Sequence, residues 1–271
     1  MSAVAPSVVE GTAAGEEWDI DPDLLHRLGD TRIRPALVTG AARGIGRAIA
    51  QRLVRDGSPV VLLDRDPAVA DTAAELGATG WVVADLGVPE QARRAVADTL
   101  DCLGGLWALV NNAGIFDKTP LLDLPVERWD EVMAVNARSV LVMTQAVAPA
   151  MIAVGGGRIV NLASMAAKAG TAGETAYAAS KAAVMALTRI AAAELGPHGI
   201  TVNCVCPGYV LTDMGADTRT PEQVRQWSAQ SPLGRCATPE DVAGVVAHLV
   251  SDDAAYQTGQ AVNVCGGMLA W

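Results

Sequence analysis

From Arg34 onward, short runs of consecutive apolar residues alternate with segments whose apolar residues recur every three or four positions. The runs cover 35–39, 60–63 (closed by Asp64), 81–84, 106–110, 158–163, 200–206 and 261–264. Apolar runs without polar alternation predict parallel strands covered on both faces. The periodic segments 45–56, 68–76, 89–103, 126–154, 177–195 and 239–250 predict helices, several of them stopped by glycine. Strand and helix in alternation give right-handed crossovers and a doubly wound α/β domain of about seven strands with helices on both faces. One such sheet continues over 35–271, so a single domain is expected. Residues 1–34 are rich in Ala, Ser, Gly and acids, with one amphipathic piece from Trp18 to Leu25, and predict an extension that is first disordered and then docked. The stretch at about 212–232 lacks strand pattern and is expected to be a lid over the site.

The first run closes on Thr39-Gly40-Ala41-Ala42-Arg43-Gly44-Ile45-Gly46, and a helical pattern begins inside it. Gly40 permits the turn, Gly44 lets a pyrophosphate approach the backbone, and Gly46 allows close helix packing. Phosphates then meet free N–H groups and the positive end of the helix. Following a strand and opening a helix gives the triplet the context that a glycine motif needs. Asp64 is placed to accept hydrogen bonds from the adenine-ribose hydroxyls and to repel a 2′-phosphate, which favours NAD. Arg43 and Arg65 pull the other way, because either can pair with that phosphate, so NADP is the alternative.

Tyr177 and Lys181 stand four residues apart, and Ser164 lies thirteen residues upstream. On a helix, positions i and i+4 share a face, so the ammonium can lie under the phenol. A free phenol titrates near about 10, and a nearby cation is expected to lower it. The trio reads as a built proton donor for carbonyl reduction or alcohol oxidation.

With these residues in place, the chain resembles the short-chain dehydrogenase/reductase family over about residues 34–268, with its Rossmann-type sheet. The turn 39–46 is similar to the family's cofactor turn, Asp85 with Leu86 to its adenine contact, and Asn112, Ala113 and Gly114 to the motif after the fourth strand. Asn136, Ser164, Tyr177 and Lys181 match the family's catalytic tetrad. Pro207, Gly208, Val210 and Thr212 match the segment that wraps the nicotinamide, and Tyr177 and Lys181 are also implied to touch the cofactor. The resemblance implies an NAD(P)-dependent alcohol dehydrogenase or ketone reductase. Tyr177 would act as general acid or base, Ser164 would hold the substrate oxygen, and Asn136 would anchor a water linking Lys181 to solvent. One departure is Val264-Cys265-Gly266-Gly267, where the family commonly places an acid before the two glycines.

Substrate walls are expected from Phe116, Met165, Ala166, Glu174, Tyr209, Met214 and Trp227. Val224 and Trp227, three apart, also read as packing residues of a lid helix. Lys168 and Glu174 are the charges nearest the site in sequence, with solvent the expected place for both side chains; either one, inside the pocket, would select polar or ionised substrates. The expected substrate is a small or mid-sized secondary alcohol or ketone. The rival readings are an NADPH-dependent 3-oxoacyl-thioester reductase, which Asp64 disfavours, and a catalytically silent dinucleotide-binding sensor, which would not need an activated phenol.

Composition narrows the partners. The chain has 271 residues, 51% of them apolar, and a net charge of −10, which argues against nucleic acid or an anionic membrane. The five cysteines lack zinc-ligand spacing and read as buried small residues in a reducing cytoplasm, with no metal expected. No run approaches the roughly 18 apolar residues of a membrane helix. The small residues of 126–154 and 177–195, with the apolar tail Met268-Leu269-Ala270-Trp271, point to a homo-oligomer, by resemblance a homotetramer.

Overall fold

The computed structural model describes residues 34–212 and 219–270; the expectations for 1–33, for Met214 and for Trp271 lie outside them. Seven parallel strands run in the order β3-β2-β1-β4-β5-β6-β7. They are β1 (Ala36–Thr39), β2 (Val60–Asp64), β3 (Gly80–Val83), β4 (Ala108–Asn111), β5 (Gly157–Leu162), β6 (Ile200–Pro207) and β7 (Ala261–Val264). The helices are α1 (Gly44–Arg55), α2 (Val69–Leu76), α3 (Pro89–Leu103), α4 (Val126–Met133), α5 (Ser139–Ala153), α6 (Ala166–Ala169), α7 (Thr175–Leu195), α8 (Pro221–Gln230) and α9 (Pro239–Val250).

The unbroken apolar runs follow from burial on both faces. Ala36 and Val38 of β1 pack with Ile49 and Leu53 of α1 and Val242 and Val246 of α9. Leu37 points the other way, into a core with Val96 of α3, Met143 and Val147 of α5 and Ala191 of α7. Each fully buried Leu or Val contributes about 1.5–3 kcal/mol relative to exposure, so a one-residue slip of a strand would misplace side chains on both layers. The chain reverses direction across the sheet between β1 and β4. That switch point opens a crevice at the carboxyl ends of the strands, where ligands of this architecture bind.

One element departs from the expected pattern. The helix expected over 126–154 is interrupted by a π-helical turn, Ala134–Arg138, between α4 and α5. Apolar periodicity does not report this widened turn, and such turns concentrate at functional sites. The lid stretch, which lacks strand pattern, contains α8, the helix that the Val224/Trp227 spacing allowed, and its start was written in the chain: Thr220 and Gln223 form a reciprocal capping box, with Pro221 at the first helical position. The cysteines also need one correction. Cys204, Cys206, Cys236 and Cys265 are buried, but Cys102 is exposed near the end of α3.

Candidate active site

The glycine turn is locked from β4. Gly40 and Gly44 both have positive φ, +65° and +59°. A Cβ on Gly46 would lie 2.1 Å from the Gly40 carbonyl oxygen and 2.5 Å from Asn112 Nδ2, so no side chain fits there. Asn112 Nδ2 donates to the carbonyls of Thr39 (2.9 Å) and Gly40 (3.0 Å). Thr39 Oγ1 accepts from the backbone N–H groups of Asn112 and Ala113, both at 3.0 Å. Thr39 was absent from the expected site residues, and its hydroxyl is the clasp between the turn and the Asn112-Ala113-Gly114 segment.

The residues present fit a dinucleotide. No side chain caps the start of α1, so its first N–H groups remain available to an anion, and Gly44 leaves its Cβ position open toward Thr212, 3.6 Å away. Asp64 closes β2, where its Oδ2 accepts from the Ala42 N–H and its Oδ1 from the Asp66 N–H, each at 3.0 Å. Arg43 is held in an ion pair with Asp66 at 3.0 Å, while Arg65 is exposed. Asp85 Oδ1 accepts from the Gly87 N–H at 2.8 Å. Leu86 is committed to the core beside α3 rather than to an open wall. Ile45 and Val210 are partly buried against the first core, and Pro207 ends β6. Gly208 packs so closely on Cys265 that a Cβ would lie 2.9 Å from its Cα.

The four residues matched to the tetrad converge at the carboxyl ends of β4 and β5. Ser164 follows β5; its hydroxyl accepts from the Ala166 N–H at 3.1 Å and lies close enough to the Tyr177 phenol to pull its pKa down. Lys181 Nζ donates to the Leu162 carbonyl at 2.7 Å and lies 5.8 Å from the centre of the Tyr177 ring. Asn136 occupies the π-turn, fully buried. Its Nδ2 donates to the Ile115 carbonyl (2.9 Å) and to Ser180 Oγ (3.0 Å), and its Oδ1 accepts from the Ile115 N–H (2.8 Å). Ser180, which sequence reading missed, returns a hydrogen bond to the Tyr177 carbonyl at 2.7 Å. Gly114 brings the set together: a Cβ there would lie 3.2 Å from Asn136 Oδ1 and 3.4 Å from Lys181 Nζ.

The electrostatics differ from expectation in one respect. Burial raises the Tyr177 pKa, Ser164 opposes it, and Glu174 raises it further. The expected lowering by Lys181 is not what the geometry gives, because the ammonium turns to the Leu162 carbonyl and sits against the ring. Burial lowers Lys181 itself to about 8, against an opposing influence from the Cys206 and Cys204 thiols beneath it on β6.

Around this set, the edge of Phe116 meets the Tyr177 ring at a centroid distance of 5.1 Å. Tyr209 stacks on Trp227 of α8 at 4.7 Å, so Trp227 closes one wall of the cleft through Tyr209. Met165 packs toward Gly208, whereas Ala166 is buried behind the serine turn rather than open as a wall. Lys168 was expected in solvent; instead its ammonium donates to Asn263 Oδ1 (2.7 Å) and the Ala261 carbonyl (3.2 Å), tying α6 to β7. Glu174 was expected in solvent too. Its carboxyl is half-buried, and burial raises its pKa.

A family profile described as enoyl-(acyl carrier protein) reductase matches residues 40–269. The chain is 43% identical to a (3R)-3-hydroxyacyl-CoA dehydrogenase of Mus musculus, over 86% of this chain and 95% of that one. It is 42% identical to a sorbitol dehydrogenase of Cereibacter sphaeroides, over 86% and 96%. Among solved structures, a putative NAD(P)-dependent gluconate 5-dehydrogenase from Beutenbergia cavernae, with NADP bound at low occupancy, superposes with a TM-score of 0.83 at 42% identity, covering 88% of this chain and 97% of that one.

Proposed function

The chain belongs to the short-chain dehydrogenase/reductase family as a nicotinamide-dependent oxidoreductase, and on that premise we propose that Tyr177 exchanges a proton with the oxygen of a secondary alcohol or ketone. The observation that carries this reading is the convergence of Ser164, the buried Tyr177 phenol and the buried Lys181 ammonium at the strand ends beside the glycine turn. The bound cofactor supplies or accepts the hydride. Ser164 holds the substrate oxygen against the phenol. Tyr177 donates its proton in reduction and takes one in oxidation. Lys181 holds a positive charge under the ring, and Asn136 fixes the turn through which that ammonium meets Gly114. Of the lid expected at about 212–232, α8 is the described part, set beside the cleft by the stack of Trp227 on Tyr209.

For the cofactor, the turn 40–46, Asp64, Asp85 and the segment 112–114 would hold the dinucleotide, with NAD preferred. The carboxylate of Asp64 stands where a 2′-phosphate would bring further negative charge. Arg43 is paired with Asp66, and the exposed Arg65 is the residue that would meet a 2′-phosphate in the NADP alternative. The NADP-bound relative makes the comparison sharp. Initial rates with both cofactors should give kcat/KM for NAD(H) at least about tenfold above NADP(H); the reverse preference overturns the assignment. The 3-oxoacyl-thioester reductase reading keeps support from the hydroxyacyl-CoA relative.

The assembly proposed is a homotetramer in the cytoplasm, where free thiols persist. Leu141 and Ile152 of α5 and Ile190 of α7 remain exposed on the outer helices, which favours burial against a second copy. Light scattering should give a mass of about four chains, and a monomer would refute it.

A further inference from the structure

Glu174 is the N-cap residue of α7 and stands three residues before Tyr177. Position 174 thus lies about one turn before Tyr177 where the chain enters α7. The Glu174 side chain accepts no hydrogen bond from the first turn of that helix. Among the described residues, no donor reaches its carboxylate. Its backbone is fixed instead, in a bridge with Thr119, and the stem of Lys118 lies beside neighbouring Gly173, 3.4 Å from where a Cβ would stand.

The bridge ties Glu174 to Thr119, three residues along from Phe116, whose ring meets Tyr177. Its charge is also felt by the phenols of Tyr177 and Tyr209, and Tyr209 is the residue stacked on Trp227 of α8. A carboxylate partly withdrawn from water and without a protein donor is open to hydrogen bonds from a ligand. The nearby Lys118 ammonium favours its charged form, and that charge disfavours an anionic group brought against it.

We propose that Glu174 sets substrate class by accepting hydrogen bonds from hydroxyl groups beyond the reacting carbon, so that the site takes neutral polyols in preference to anionic hydroxyacyl thioesters. This rests on the reading of the site as a secondary-alcohol oxidoreductase. The test uses the purified full-length protein and the variants Glu174→Gln and Glu174→Leu, with D-glucitol, 2-butanol and 3-hydroxybutyryl-CoA as substrates. The wild type should favour glucitol by kcat/KM. In Glu174→Leu the ratio of kcat/KM for glucitol to that for 2-butanol should fall by about 10- to 100-fold, through KM rather than kcat, with a smaller fall in Glu174→Gln. KM for the thioester should drop in both variants. Cofactor affinity measured by calorimetry should stay at the wild-type value, which separates pocket loss from unfolding. An unchanged glucitol ratio in Glu174→Leu, or a wild type that prefers the thioester, overturns the role of Glu174 while leaving the oxidoreductase reading intact. A wild type that turns over none of the three overturns that reading and this proposal with it.

Discussion

Replacing Tyr177 with Phe is expected to reduce kcat by about 10²- to 10⁴-fold, the usual worth of a positioned general acid or base, with cofactor affinity retained. The change removes one oxygen, while the ring keeps its T-shaped contact with Phe116. Folding should therefore be untouched, and thermal unfolding is the control. The direction of the phenol's shift adds a second readout. Burial holds Tyr177 above its ordinary value of 10, so the proton-donating form is present throughout the neutral range and the proton-accepting form appears only at high pH. Ketone reduction by the wild type should be level through neutral pH, and alcohol oxidation should climb with pH. A Tyr177→Phe enzyme that keeps its turnover, or one that loses it together with cofactor binding, would remove Tyr177 from the role assigned to it.

The strands and the glycine turn were legible because their causes are local. Two-sided burial forces unbroken apolar runs such as Val60-Val61-Leu62-Leu63, and glycine is forced by close approach at residues 40 and 46 and by positive φ at 40 and 44. The Tyr177/Lys181 pair was legible because helical spacing fixes a shared face. What stayed hidden depends on the chain being folded. Asn136 was matched by resemblance, but the π-turn that carries it has no apolar period of its own. The hydroxyls of Thr39 and Ser180 act through partners far away in sequence. The sign of the Tyr177 shift turned on how deeply the phenol is buried, and neither spacing nor residue type contains that information. Lys168 read as a surface charge because nothing in sequence announces that β7 will bring Asn263 beside it. α8 is the exception, since Thr220, Pro221 and Gln223 carried its start signal in plain view.

Lys181→Met should separate function from stability: turnover falls by at least about 10²-fold, while the protein becomes more stable. The ammonium is buried, with the Leu162 carbonyl at 2.7 Å, and burial brings its pKa from 10.5 to about 8. A folded-state pKa below the unfolded value means that folding at pH 7 works against a charge the unfolded chain keeps in water. At ~1.36 kcal/mol per pKa unit the cost is about 3 kcal/mol. Between pH 8 and 10.5 the unfolded chain holds more protons than the folded one at this position, so this contribution to stability rises with pH across that window. Methionine fills a similar volume without charge and gives up only the bond to Leu162. A net gain of about 1–2 kcal/mol is expected, or roughly 2–8 °C in Tm for a chain of this size. In the wild type, kcat/KM for the cofactor reports groups of the free enzyme, and it should decline above a break near pH 8 as the ammonium is lost. That break should be absent from the residual activity of the Lys181→Met variant. A lower Tm in Lys181→Met would show that the lysine is held for the fold, and a higher Tm with full activity would show that the buried charge serves neither.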